Sequence, residues 1–155
     1  MKNIIKIIIA VWIPLLLWFI ASQFTILYIE SWYVYVAKPF FNPPSWIFWP
    51  VWTILYIMIG ISFYLVWKDD FWKKKTRLLI IYFLQLALNF AWSFSFFYFW
   101  NPLLGLINII ILLVFIWLNI KVFYDVKKSA GYLLIPYLLW VMFATVLNFS
   151  IFILN

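Results

Sequence analysis

Side chains able to do chemistry are scarce in this chain. It has no histidine and no cysteine, which removes the usual general base, axial haem ligand, thiolate nucleophile, disulfide framework and cysteine metal site. Its carboxylates, Glu30, Asp69, Asp70 and Asp125, all fall outside the long apolar stretches, so paired-carboxylate chemistry is excluded within them. What remains are indoles and amides. Gln85, Asn89 and Trp92 recur at i, i+4, i+7, and Tyr137, Trp140, Ala144 and Asn148 at i, i+3, i+7, i+11. Each set therefore shares one helix face. A flat aromatic ligand stacks well on indole, and an amide supplies the few polar contacts such a ligand needs. The pattern predicts a ligand pocket without a catalytic constellation. Trp52, Trp92 and Trp140 are its functional indoles, and Asn89 and Asn148 its lining amides. Trp52, being oxidisable and responsive to light, is the one candidate reactive residue.

The elements that must position these residues follow from composition. Of 155 residues, 70% are hydrophobic and 10% charged, with a mean hydropathy of +1.11. Soluble domains are roughly half apolar and about a quarter charged, so this chain has no water-facing coat. It reads as an all-α integral membrane protein, a bundle of five transmembrane helices in a single domain over residues 1–155. The helices are expected at about 4–27, 44–67, 78–99, 103–123 and 131–154, against about 20 residues needed to cross a bilayer core. The first is too long for a signal-peptide core and lacks a small-residue cleavage site. Counted inward at about 1.5 Å per residue, Ser22, Trp92 and Asn148 lie roughly 8–10 Å deep, Trp52, Asn89 and Ala144 roughly 12–15 Å, and Gln85 and Trp140 roughly 21 Å. Residues from four helices thus meet in one half of the membrane. Gln85 fits either that pocket or an interhelical hydrogen bond contributing about 1 kcal/mol. Trp32, Trp67, Trp72 and Trp100 stand at span ends as interface anchors. Trp12, Trp18 and Trp117 are mid-span, where packing against lipid or helices accounts for them.

Pro39, Pro43 and Pro44 rule out helix before Ser45, and Pro44 can open the second helix because its missing N–H is no loss there. Pro50 loosens that helix just before Trp52. The connection over residues 28–43 is aromatic (Trp32, Tyr33, Tyr35, Phe40, Phe41) rather than polar, and reads as a lid folded over the bundle mouth. Basic residues alternate between connections. Lys2, Lys6, Lys68, Lys73, Lys74, Lys75, Arg77, Lys121, Lys127 and Lys128 fall on one side, and Lys38 alone on the other. The positive-inside rule then sets the amino terminus in the cytoplasm and the carboxy terminus outside. The net charge of +7 serves topology and lipid headgroups; no basic stripe lies on a folded face, so nucleic acid is not a partner.

The pattern Trp32-Tyr33, Lys38-Pro39, Pro43-Pro44, Trp46, Pro50-Val51-Trp52-Thr53, Leu55-Tyr56, Met58, Gly60 and Tyr64-Leu65-Val66-Trp67 resembles the translocator protein family, also called tryptophan-rich sensory proteins or peripheral benzodiazepine receptors. The blocks Gln85–Trp92, Leu134–Trp140 and Phe143–Asn148 agree with it in the same order. The resemblance implies ligands of the porphyrin class, sterols and benzodiazepine-type compounds, with pocket positions at Tyr33, Pro43, Trp52, Tyr56, Asn89, Trp92, Trp140 and Ala144. It also implies a dimer through helix three, where Ala87 and Ala91 form a small-xxx-small pair. Some bacterial members are reported to break down protoporphyrin through the tryptophan matching Trp52. Three departures stand out. Asn108 replaces an acidic residue early in helix four. Leu17 and Ala21 replace small glycines of helix one, which argues against close packing there. The region from Phe149 lacks the Tyr and basic residue of the cholesterol-recognition pattern.

The expected function is therefore binding of a planar hydrophobic ligand, a protoporphyrin-type tetrapyrrole, under the first loop. Ser22, Tyr33, Pro43, Trp52, Tyr56, Asn89, Trp92, Asn108, Trp140, Ala144 and Asn148 are its candidate residues. No cofactor is required and no metal site is expected. The partners are the lipid bilayer, the planar small molecule and a second copy of the chain, and the setting is a prokaryotic cytoplasmic membrane. Two alternatives differ in kind. One is an enzyme that degrades porphyrin in light through Trp52, and the other a structural or signalling membrane protein without ligand turnover.

Overall fold

The computed structural model describes residues 2–68 and 75–155. Trp72, Lys73 and Lys74 lie outside the described residues. Among the described residues six α-helices run in chain order: α1 (Lys2–Tyr28), α2 (Ser45–Lys68), α3 (Lys75–Ser93), α4 (Pro102–Val126), α5 (Lys128–Leu133) and α6 (Ile135–Leu154). Five spans among these residues are long and apolar enough to cross a membrane, with α5 and α6 sharing the fifth, Lys128–Leu154. The division falls at Leu134, because Pro136 has no N–H to donate one turn back. There the chain tightens, Leu134 N donating to Gly131 O at 3.1 Å before Leu138 N resumes with Leu134 O at 3.0 Å.

α1 and α3 each continue into a π-helical turn, Ile29–Tyr33 and Phe94–Tyr98. The lid connection is therefore shorter than its aromatic composition suggests. Nothing breaks the helix before Pro39, and an apolar segment at a membrane boundary keeps its backbone bonds internal as long as it can. α2 begins at Ser45, directly after Pro44, and carries Pro50 inside. α4 starts on an N-cap, Asn101 Oδ1 accepting from Leu104 N at 2.9 Å, with Pro102 in the first turn.

α1 does pack closely, contrary to what Leu17 and Ala21 suggest, because the small residue sits on its partner. A Cβ built on Gly60 of α2 would stand 2.6 Å from Val11 Cα and 2.7 Å from Ala10 O. Backbone meets backbone at that crossing. Toward the end of the bundle where α2 finishes, Phe63, Tyr82 and Phe123 lock α2, α3 and α4 together, the first two rings stacked at 4.3 Å and the last two at 5.9 Å. Toward the lid a separate apolar cluster forms from Tyr33, Val36, Phe96, Phe97, Leu147 and Ile151. Between these two packed regions the bundle is not filled by its own side chains.

Candidate functional site

That gap is a cavity of about 990 Å³ when all space out through its open mouth is counted, of which about 110 Å³ can be occupied by a water-sized sphere. α1, α2, α3 and α6 form its wall, and α4 contributes nothing to it. The reason lies in the sequence of each helix. α2 turns Trp52 and Tyr56 inward one turn apart, α3 does so with Asn89 and Trp92 and its π-helical continuation with Phe96, and α6 with Trp140, Ala144 and Asn148. Among the described residues no charged side chain lines it.

Nine of the candidate residues come together on this wall: Ser22, Tyr33, Trp52, Tyr56, Asn89, Trp92, Trp140, Ala144 and Asn148. Two do not. Pro43 belongs to the lid, its carbonyl accepting from Asn42 Nδ2 at 3.2 Å. Asn108 projects from α4 toward α3, its Nδ2 donating to Ser95 Oγ at 3.3 Å, and lies off the cavity wall. Its helix packs outside the cavity, so no side chain early in α4 reaches in.

The polar groups are mostly paired with one another. Tyr56 OH donates to Asn89 Oδ1 at 2.9 Å, Asn89 Nδ2 to Tyr137 OH at 2.6 Å, and Tyr137 OH to Gln85 Oε1 at 3.0 Å. This buried chain ties α2, α3 and α6 together beneath the cavity. It also places Gln85 in the supporting network, away from the wall. Trp92 Nε1 donates to Asn148 Oδ1 at 3.2 Å, and Asn148 Nδ2 to Pro102 O at 2.8 Å. Trp92 is held flat by stacking on Phe96, 5.3 Å between centroids and 18° between planes. Trp140 differs. Its buried Nε1 has no acceptor among the described residues. The cavity thus offers aromatic faces, with polar groups that are mostly already paired. Trp52 meets Tyr56 at 5.8 Å and Tyr137 at 6.4 Å, which leaves its indole beside the buried chain.

The lid is pinned from three directions. Tyr33 OH donates to Asn42 Oδ1 at 2.9 Å, and burial pushes its phenol up to about 12, so the donor stays protonated through the neutral range. Lys38 Nζ donates to Val36 O at 2.9 Å and lies 4.6 Å over the Tyr33 ring; burial draws its ammonium below the usual lysine value. Asn155 grips the backbone of Ala37 on both sides, accepting from its N–H at 2.9 Å and donating to its carbonyl at 3.1 Å.

Sequence reasoning missed the α1 wall. Trp18 was assigned to packing, yet it lines the cavity and packs edge-on against Trp49 at 5.3 Å. The signal was present, because Trp18, Ala21, Ser22 and Thr25 follow i, i+3, i+4, i+7. Trp12 and Trp117 are more than half exposed on the bundle exterior, where lipid packs.

Residues 10–154 match the TspO/MBR family. The chain is 45% identical over 153 residues to the tryptophan-rich protein TspO of Archaeoglobus fulgidus, covering 99% of both chains. It is 37% identical over 122 residues to the human translocator protein, covering 77% of this chain and 72% of that one. With the tryptophan-rich sensory protein of Cereibacter sphaeroides it shares 32% identity over 126 residues, 81% of this chain and 78% of the relative.

Proposed function

This chain belongs to the TspO/MBR family of integral membrane proteins, and from that premise we propose that its cavity binds a planar hydrophobic molecule of the tetrapyrrole class. One observation carries the reading: an uncharged, indole-lined space whose amides are held by neighbouring tyrosine, indole and backbone groups, so that aromatic faces and indole N–H groups are what it presents to a ligand. A flat ring system gains from stacking on Trp52 and Trp92. Carboxylates on such a ligand are costly to bury among uncharged groups, so they belong at the mouth, near Lys38. The lid over residues 34–44 then closes the site, and its removal from water strengthens every polar contact inside.

In this reading the protein needs no cofactor and handles the tetrapyrrole as ligand, for transport or sensing. It works in a prokaryotic cytoplasmic membrane with its amino terminus inside, in line with its prokaryotic relatives and the one-sided basic residues. A homodimer through α3 is supported by Ala87, which is exposed on the bundle exterior beside exposed Phe83 and Leu84.

The test is a protoporphyrin titration of the detergent-solubilised protein, followed by tryptophan fluorescence in darkness and then under illumination. Saturable quenching in the dark with an unchanged porphyrin spectrum in light is the expected result. Loss of the porphyrin spectrum in light would move the function to Trp52-dependent degradation. Absence of saturable quenching would leave a structural or signalling protein.

A further inference from the structure

A second depression opens at the lid end of the bundle, separate from the indole-lined cavity. Trp32, Trp100, Asn101, Phe152 and Asn155 are among its lining residues. It lies where the spans end, hence at the depth of lipid headgroups. Three features distinguish it.

First, Trp100 has φ 53°. A bulky side chain in the left-handed region is an outlier, and the position, just past the end of a helix, is one that glycine fills at no cost. Strain of this kind persists where the side chain has a use. Second, the indole is not consumed by packing: Trp100 is 56% exposed, and it shares the depression with Trp32, which is fixed edge-on against Phe96 at 5.5 Å. Third, the helical segments ending at Tyr33, Tyr98 and Leu154 all finish here, each with the negative end of its dipole. The single positive end, that of α4, is already capped by Asn101. Among the described residues no charged side chain lines the depression. Lys38, the nearest basic residue in the lid, is engaged with the Val34 and Val36 carbonyls and the Tyr33 ring.

We propose that this depression is a binding site for an organic ammonium group, the chemistry of a zwitterionic lipid headgroup. Indole faces attract such a cation and converging helix C-termini reinforce the attraction, while weak hydration of a methylated ammonium lets it leave water for an aromatic wall. The site does not depend on what the large cavity binds.

The experiment uses the full chain in bilayers carrying spin-labelled phosphatidylcholine or, with the same acyl chains, an uncharged galactosyl lipid. The protein-associated fraction of each is measured. The parent should prefer the ammonium lipid by about threefold to tenfold, the size of a partly desolvated cation–π contact. Trp100→Phe should keep part of that preference and Trp100→Gly should lose it. A second arm adds tetramethylammonium chloride in detergent, against sodium chloride at equal ionic strength, and reads the melting temperature. A rise in the parent that is absent in Trp100→Gly supports a free ammonium ion as occupant. A lipid preference without that rise supports the headgroup. Trp100→Gly also serves as the folding control, since relief of the left-handed strain should hold its melting temperature at or above the parent's. A lower melting temperature would show that the ring has a packing role and would overturn the strain argument. No preference in the parent, or one unchanged in Trp100→Gly, would overturn the site.

Discussion

Asn89 holds the floor of the large cavity together, and removing it should show how much of the bundle depends on that contact. In Asn89→Leu the Tyr56 hydroxyl loses its acceptor at 2.9 Å and the Tyr137 hydroxyl loses a donor at 2.6 Å while keeping Gln85 Oε1 at 3.0 Å. Both tyrosines are fully buried, so no water replaces the lost partner. An orphaned buried hydroxyl costs about 1–3 kcal/mol. The Tyr137 bond, one of two at that oxygen, adds about 0.6 kcal/mol, the average for interhelical bonds in membranes. Together these give about 2–4 kcal/mol. Reversible unfolding in mixed detergent micelles measures it. The decisive comparison is the double variant Tyr56→Phe/Asn89→Leu, which deletes the orphaned hydroxyl and should recover about 1 kcal/mol or more relative to Asn89→Leu alone. If the two substitutions simply add, Tyr56 was never left without a partner and the reasoning from the hydrogen-bonded chain fails.

Four further outcomes are expected. Trp52→Ala should weaken porphyrin binding by about 1–3 kcal/mol, as for a lost buried aromatic contact, and Trp52→Phe should keep much of it, both read by dark titration; normal binding by Trp52→Ala would place the ligand elsewhere. Gly60→Ala should destabilise the bundle by about 1–3 kcal/mol, since the new methyl meets the Ala10–Val11 backbone, which cannot rotate away; an unchanged unfolding midpoint would mean that α1 shifts freely. A periplasmic reporter fused after Asn155 should be active only outside the cytoplasm, and activity inside would reverse the orientation. Replacing Ala87 and Ala91 together with leucine should reduce the particle mass to that of a monomer in light scattering, and an unchanged mass would count against α3 as the dimer contact.

The membrane fold was legible because hydropathy reads a simple quantity, the length of uninterrupted apolar chain, and five such lengths are present. The cavity was legible for a related reason: in an apolar helix a polar residue is costly, so Asn89 and Asn148 mark a place where something compensates it. The same logic failed where residues carry no polar signal. Phe48, Trp49 and Phe96 line the cavity, but in a chain with 26% aromatic residues an aromatic on a helix face does not distinguish wall from lipid contact. Asn108 shows the opposite limit. Its polarity put it among the candidate ligand residues, yet its partner is Ser95 across the α3–α4 hairpin, a contact that depends on how two helices align and not on depth alone. Close packing of α1 was misread because the search for small residues stayed on α1, whereas an interhelical crossing needs one small residue on either side, and Gly60 supplies it.

These misreadings share a cause that bears on function. Depth along a helix follows from counting residues, but rotation about its axis is set by neighbours, and rotation decides which side chains share a space. α4 illustrates this. It presents Leu106, Ile109, Leu112 and Ile116 to the core and so buttresses α3 from behind, while α1 closes the wall with Trp18, Ala21, Ser22 and Thr25. α1 is also the span with the smallest buried share, 17% against 28–39% for the others. Its packing is concentrated on α2: backbone meets backbone at Gly60, and Trp18 packs against Trp49 and Tyr56 further along the same interface. Because the Gly60 crossing and the Trp18 wall lie on one α1–α2 interface, a methyl that forces the helices apart at Gly60 should also widen the wall, so Gly60→Ala should weaken porphyrin binding in the dark titration along with stability; a loss of stability with unchanged binding would show that the crossing and the wall move independently.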